Sequence, residues 1–258
     1  MTDAFDPRPA ADLLHAAYRE GRQLAELPEA VRPRTMAEGY AIQDRLLDAI
    51  GDEFAGWKLA IGSHKGKRSS GVGRSIAGRV LKGQLHADGA EIRMPHAGAV
   101  TVEFEIAYVI GRDIAPDAPV AAAASVVAET RVAFELVLSR FLDRRAVGWP
   151  SFCADNSAFQ ALVIGPAIGS GDLAALADSL VVAVDGVERV RAVTGEDETD
   201  PLAALADLLA VARERGVTIP AGSIVSTGTL SVPFDLTGPA TITARFAGRT
   251  LGFSLLPV

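Results

Sequence analysis

From about Gly56 to its end the chain is a succession of short β-rich runs, and only two helical stretches interrupt them. The runs cover 57–61, 78–81, 100–110, 132–138, 161–164, 180–184, 224–230 and 240–246, and Gly, Pro, Asn and Asp clusters separate many of them. The helical stretches are the alanine-rich 118–129 and the segment 200–215. In the second, Asp200 is placed to cap, Pro201 stands at the first helical position and Gly216 is the stop. Leu202, Leu205, Leu209 and Ala212 recur on one face of it, which is expected to be buried. Strands that do not alternate regularly with helices argue against a doubly wound parallel sheet. No internal repeat of solenoid period is present.

The first fifth reads differently. The stretch 10–22 mixes apolar and charged residues at a helical period, and Thr35 with Glu38 matches a capping box. Met36, Tyr40, Leu47 and Ile50 then share a helical face up to Gly51. Pro28 and Pro33 mark 27–34 as a linker between the two helices. The expected architecture is therefore α+β: an N-terminal helical segment, 1–55, and a β-rich domain, 56–258.

Composition excludes several classes. Hydrophobic residues make up 49% of the 258, which is too many for a disordered chain. The formal charge of −7 argues against a nucleic acid partner, since phosphate binding needs a basic surface. A single cysteine, Cys153, allows neither an internal disulfide nor a multi-cysteine zinc site and fits a reducing cytoplasm, the expected location. No apolar run is long enough for a membrane helix, and the N-terminus, with Asp3, Asp6, Pro7 and Pro9, lacks the apolar core of a signal peptide.

The sharpest chemical signal lies in 101–110, an apolar strand carrying Glu103 and Glu105. Residues two apart in a strand share a face, so the two carboxylates repel each other and, if buried, are costly to desolvate. A hard divalent cation removes both problems. Glu135, alone within the apolar run 132–138, is available as a third ligand. The competing reading is that one face of each strand is wet. Lys58, in the run 57–61, either snorkels to water or sits near carboxylates, where it could serve as acid or base.

Asp155, Asn156 and Ser157 form a cluster that is either a turn or a set of short polar groups for a ligand. The segment 222–229 ends in a small polar loop whose backbone could approach an anion, or could be a plain turn. His15, His64, His86 and His96 have no metal-binding spacing, and Gly71 and Gly73 do not make a nucleotide-binding fingerprint. Cys153 reads as a small packing residue.

In this order the pieces resemble the 2-keto-4-pentenoate hydratase and 4-oxalocrotonate decarboxylase group of the fumarylacetoacetate hydrolase superfamily. The resemblance runs from Tyr40-Ala41-Ile42-Gln43 through Gly56-Trp57-Lys58-Leu59, Glu103-Phe104-Glu105 and Phe134-Glu135 with Ser139-Arg140. It continues through Ala154-Asp155-Asn156-Ser157 and Asp200-Pro201 to the segment 222–229. It implies a mixed β-sandwich or roll, a magnesium or manganese ion held by Glu103, Glu105 and Glu135, and a catalytic Lys58. Two departures stand out. Thr101 occupies the place of the group's arginine before the glutamate pair, and Gly73-Arg74 replaces an acidic-proline loop.

The resemblance further implies a short 2-oxo or 2-hydroxydienoate acid as substrate and a homo-oligomer. Carboxylate and 2-oxygen would chelate the metal, which stabilises enolate charge as a Lewis acid while Lys58 moves protons. Hydration of 2-hydroxypenta-2,4-dienoate to 4-hydroxy-2-oxopentanoate and decarboxylation of a 4-oxalocrotonate-type acid both use such a site. Ser157, Thr227 and Thr229, with Asp155, are the candidate substrate contacts. The alternatives are a carbon–carbon hydrolase using His64 as base, an isomerase of a 2-oxo acid, and a non-catalytic partner subunit suggested by Gly73-Arg74.

Overall fold

The computed structural model describes residues 5–119 and 121–258; the reading of the first four residues, and of Val120 within 118–129, lies outside them. Helices α1 (Arg8–Glu20) and α2 (Met36–Ile50) open the chain. They are followed by β1 (Phe54–Ala60), α3 (His64–Ser70), β2 (Ile76–Leu81), β3 (Leu85–Ala87), β4 (Ala90–Arg93) and β5 (Val100–Ile110). Next come β6 (Val127–Val137), α4 (Gly148–Ala154), β7 (Phe159–Ala167), α5 (Ser170–Ser179), β8 (Val181–Val184) and β9 (Val187–Arg191). Helix α6 (Pro201–Glu214) and strands β10 (Ile224–Thr229), β11 (Phe234–Leu236), β12 (Ala240–Phe246) and β13 (Arg249–Leu256) complete it.

The strands form two mixed sheets, one ordered β2-β1-β10-β5-β6-β7-β3 with β11 also pairing with the first residues of β5, the other β4-β13-β12-β8-β9. Alternation along β5 and β6 builds the contact between them. Phe104 and Phe134 point to one face, and their rings lie 5.3 Å from those of Phe246 and Phe253 in the second sheet. All four are essentially sealed from solvent, so aromatic burial holds the sheets face to face. Glu103 and Glu105, the immediate neighbours of Phe104, and Glu135, the neighbour of Phe134, therefore face the opposite side of the first sheet.

The N-terminal helices start and stop as their sequence dictates. Thr35 and Glu38 make the capping box, and Gly51 closes α2 in the left-handed conformation. Helix α2 is bolted to β2: the Tyr40 hydroxyl accepts from the Ala77 amide, and the Gln43 amide donates to the carbonyls of Ala77 and Cys153. Burial pushes the Tyr40 phenol up to about 12, so it stays protonated. A smaller core of Leu14, Leu27, Ile42, Leu46 and Phe141 joins α1, the linker and the chain after β6.

Three expectations need correction. The stretch 118–129 is not a helix: it holds a single 3-10 turn, Ala123–Val126, and β6 begins at Val127. Pro119 disfavours helix before it, and the β-branched residues after the alanines pair with β5 as far as Ile110. The buried face of α6 comprises Ala204, Leu205, Leu208, Val211 and Ala212, while Leu202 is exposed. Helices α3, α4 and α5 and strands β3, β4, β9, β11 and β13 have no counterpart in the sequence reading. Among the described residues no helix is long and apolar enough to cross a membrane.

Candidate active site

The central register decides the site. Glu103 on β5 lies directly opposite Glu135 on β6, a like-charge pairing that costs stability unless something offsets it. Glu105 shares their face, and one carboxylate oxygen from each of the three lies within 4.8 Å of the others. Glu105 and Glu135 are completely buried, whereas Glu103 is partly open. The site therefore opens to solvent at the Glu103 end.

Lys58 enters from β1, three strands away in the order β1-β10-β5-β6. Its Nζ lies 2.8 Å from Glu135 Oε1 and donates to the Ser157 carbonyl at 3.1 Å. Side chains perpendicular to a flat sheet could not meet across roughly 14 Å of strand spacing, so the sheet must curl over the acids. One lysine against three carboxylates leaves excess negative charge. Burial first, then the neighbouring glutamates, raise the Glu105 carboxyl well above its ordinary value. Burial also raises Glu135, with Lys58 opposing. Glu105 Oε1 and Glu135 Oε2 are sealed from water with no hydrogen-bond partner among the described residues. Buried acceptors in that state call for a cation, so the donor set fits a hard divalent metal.

Strand β10 fixes Glu105. The Ser226 hydroxyl and the Gly228 amide, the latter at 2.9 Å, both donate to Glu105 Oε2. Gly228 has φ of 106°, a conformation that L side chains rarely adopt. A second clamp follows α4. Asn156, Ser157 and Ala158 all take positive φ, between 52° and 58°, which is costly without glycine. Asn156 holds this turn to β2, accepting from the Arg79 amide at 2.7 Å and donating to the Arg79 carbonyl at 2.8 Å. The turn presents the Ser157 carbonyl to Lys58 and leaves the Ser157 hydroxyl buried and unpaired.

The family model for the fumarylacetoacetate hydrolase C-terminal region matches residues 81–245, more than half of the chain. The chain belongs to the fumarylacetoacetate hydrolase family. Two relatives in sequence are enzymes. A hydratase of Pseudomonas putida, the TodF product hydratase, is 31% identical over 114 residues, 43% of this chain and 42% of that protein. The chain thus matches less than half the length of that relative. A 4-oxalocrotonate decarboxylase of a Pseudomonas species is 27% identical over 202 residues, 75% of this chain and 76% of that one. In structure, the 4-oxalocrotonate decarboxylase of Pseudomonas putida G7 superposes with a TM-score of 0.82 in its calcium and acetate complex, at 20% identity over 97% of both chains. Its magnesium and adipate complex gives 0.83 at 19% identity, over 98% of this chain and 99% of that one. These superpositions establish the fumarylacetoacetate-hydrolase-like α+β fold, and the relatives place the chain among enzymes.

Within this family fold the other expected residues divide. Glu103, Glu105, Glu135, Lys58 and Ser157 converge on one sheet face. Thr227 and Thr229 do not offer free hydroxyl protons: Thr227 donates to the Ile106 carbonyl and Thr229 to the Ser231 carbonyl. They brace the Gly228 turn. Asp155 is likewise committed, Oδ2 to the Ser139 hydroxyl and the Arg140 amide and Oδ1 to the Arg140 guanidinium. The expected substrate contact at Asp155 gives way to a buried ion pair. His64 is exposed at the start of α3. Arg74 forms a two-pronged ion pair with Glu214 on α6. Cys153 is buried against Gln43, and burial raises its thiol, as a packing residue requires. Ser226 and Gly228 were not named individually from sequence, and Asn156 was named only within a cluster open to either a turn or a ligand role. Only the small polar composition of 222–229 and of 155–157 signalled them.

Proposed function

We propose that the chain is a divalent-metal-dependent lyase of short 2-oxo or 2-hydroxydienoate acids, with magnesium or manganese held by Glu103, Glu105 and Glu135. The observation that carries this reading is the buried convergence of those three carboxylates beside Lys58. When bound, the cation supplies Lewis acidity that lowers the cost of negative charge on the 2-oxygen of the acid. Lys58 Nζ, held by Glu135 and the Ser157 carbonyl, delivers and removes the proton at the carbon chain. The Ser157 hydroxyl donates to the substrate carboxylate, consistent with its being buried and unpaired. Ser226 and Gly228 hold Glu105 in one orientation, so the carboxylates need not reorganise when charge develops.

Both lyase reactions suit this set. In hydration, water adds across the conjugated double bond of 2-hydroxypenta-2,4-dienoate. In decarboxylation, the carbon–carbon bond to the departing carboxylate breaks and its electron pair moves into the conjugated system. The hydratase relative supports the first and the decarboxylase relative, matched over more of the chain, supports the second. The test is to replace Glu103 and Glu105 by Gln, singly, and measure magnesium affinity by calorimetry together with turnover of 2-hydroxypenta-2,4-dienoate and 4-oxalocrotonate. Loss of magnesium binding, with turnover of at least one acid falling from a wild-type rate, is expected. Unchanged affinity and turnover would overturn the assignment.

A further inference from the structure

We propose that Thr199 is a positioning residue: its side chain, packed against Gly62 and Gly228, sets the Gly228 amide that orients Glu105 for the metal. This rests on the metal-dependent lyase reading and adds to it a residue outside the acidic cluster.

The inference starts from an irregularity in the first sheet. Strand β10 pairs with β5 in register from Ile224 to Ser226, opposite Val109 to Ala107, and pairing resumes with Thr229 opposite Glu105. Three steps along β10 thus match two along β5, which is a β-bulge. The bulge takes the Gly228 N–H out of the ladder and turns it to the Glu105 carboxylate, at 2.9 Å. Ladder hydrogen bonds therefore do not aim this amide, and glycine at φ of 106° has wide backbone freedom of its own. The Thr227 and Thr229 hydroxyls tie down the residues on either side. Over Gly228 itself lies Thr199.

A Cβ on Gly228 would lie 3.2 Å from Thr199 Oγ1, 3.3 Å from Thr199 Cγ2 and 3.6 Å from Gly62 Cα. A Cβ on Gly62 would lie 2.6 Å from Thr199 Cγ2 and 3.0 Å from the Thr227 carbonyl oxygen. Three chain segments thus meet at the bulge with no room for a further atom. Thr199 is buried and is itself placed from several sides. It bridges Ser63 just past β1. Its neighbour Asp200 caps α6 through the amides of Leu202 and Ala203, both at 3.0 Å, and Glu198 accepts from the Gly195 amide at 2.9 Å. Thr199 also borders an apolar cavity of about 290 Å³ with Ile106, Tyr108, Leu176 and Leu230. Shortening its side chain would join that cavity to the bulge, so Gly228 would lose contacts and gain none. Both Oγ1 and Cγ2 lie against the glycines, so the contact is one of shape, which valine keeps and alanine loses.

The test uses the full-length protein with Thr199→Ala, Thr199→Val and Gly62→Ala. Amide hydrogen exchange on the metal-free chain reads the bulge, and calorimetry with magnesium chloride reads the site. Thr199→Ala should speed exchange at Gly228 by at least about tenfold, while Val225, in the regular part of β10, stays within about twofold. It should weaken magnesium binding by about three- to tenfold through the loosened hydrogen bond to Glu105. Excess magnesium should restore most of the turnover, so the defect is a raised magnesium requirement and not a lowered saturated rate. Thr199→Val should keep exchange and affinity within about twofold of wild type. Gly62→Ala, whose methyl group displaces Thr199 from below, should reproduce the alanine pattern. Wild-type exchange at Gly228 or wild-type magnesium affinity in Thr199→Ala overturns the proposal and leaves the lyase reading standing, as does a valine variant as impaired as the alanine one. If the wild type binds no magnesium, the lyase reading falls, and exchange at Gly228 still decides whether Thr199 holds the bulge.

Discussion

Lys58 Nζ and Glu135 Oε1 lie 2.8 Å apart although their strands are separated by two others, and both side chains are sealed from solvent. The pair measures the curl of the first sheet and closes the inner end of the acidic site. A buried pair of this kind is weak evidence for stability but costly to break one-sidedly. Lys58→Met is therefore expected to lower stability by about 3–5 kcal/mol, because it strands a buried carboxylate. It should also cut turnover by about 10²–10⁴ through loss of the proton-transfer group. Adding Glu135→Gln should recover much of the stability and none of the turnover. Urea unfolding and steady-state rates on the single and double variants check this, and a double variant that regains activity would remove Lys58 from the chemistry.

The metal-free protein should become less stable as pH rises above the ordinary glutamate range of about 4.3. Glu105 and Glu135 have carboxyls raised in the folded state, by burial first; Glu135 and Glu103 add to the rise at Glu105, and Glu103 adds to that at Glu135, where Lys58 opposes it. The folded chain therefore holds protons that the unfolded chain has released. Their favourable contribution is full below the unfolded carboxylate range and is lost as pH climbs through the raised folded values. Magnesium takes the protons' place, so it should flatten or reverse the slope. Thermal melting with chelator and with magnesium across this pH range measures both arms. A metal-free melting temperature that rises with pH would contradict the burial of the two acids.

Gly78 stands opposite Lys58 in the β1–β2 register, and a Cβ there would sit 2.7 Å from the Asn156 carbonyl oxygen and 2.9 Å from Lys58 Cγ. Gly78→Ala should push the 156–158 turn and Lys58 apart. The expected result is a loss of turnover larger than tenfold with magnesium affinity kept within about threefold, since no glutamate is displaced. Asn156→Ala, which deletes both bonds to the Arg79 backbone, should do the same in milder form. Calorimetry and rates on the two variants decide this; equal losses of metal binding and turnover would argue that the turn supports the carboxylates instead.

Much of the acidic site was legible because strand parity is local. Glu103 and Glu105 had to share a face once 100–110 was a strand, and Glu135 stood alone in an apolar run. The caps at Thr35 and Asp200 were equally local, and both formed. What was not legible depends on pairing across long sequence distance. Nothing near Lys58 announces that Ser157 and Glu135 will receive its ammonium group. The left-handed turn at Asn156, Ser157 and Ala158 contains no glycine to signal it, and is held only because β2 lies beneath. The strand at 127–131 was hidden under alanine's helix propensity until β5 offered a partner.

Asp155 anchors the same turn from its other end, through the Arg140 guanidinium at 2.8 Å, the Ser139 hydroxyl at 2.6 Å and the Arg140 amide at 3.0 Å. Arg140 also lies 5.1 Å from the centre of the Tyr18 ring, which ties the anchor to α1. Both charged side chains are almost wholly buried. Removing the carboxylate leaves a buried guanidinium and two other donors unanswered, so Asp155→Ala should destabilise the chain by about 3–5 kcal/mol. The isosteric Asp155→Asn keeps an acceptor for Ser139 or the Arg140 amide but loses the charge, and should cost less. Because strain at Ser157 persists only while its surroundings hold it, both variants should also lose turnover before they lose the fold. Denaturant midpoints, with rates measured well below them, separate the two effects. Full activity in Asp155→Ala at temperatures where it remains folded would show that the turn keeps its shape without this anchor.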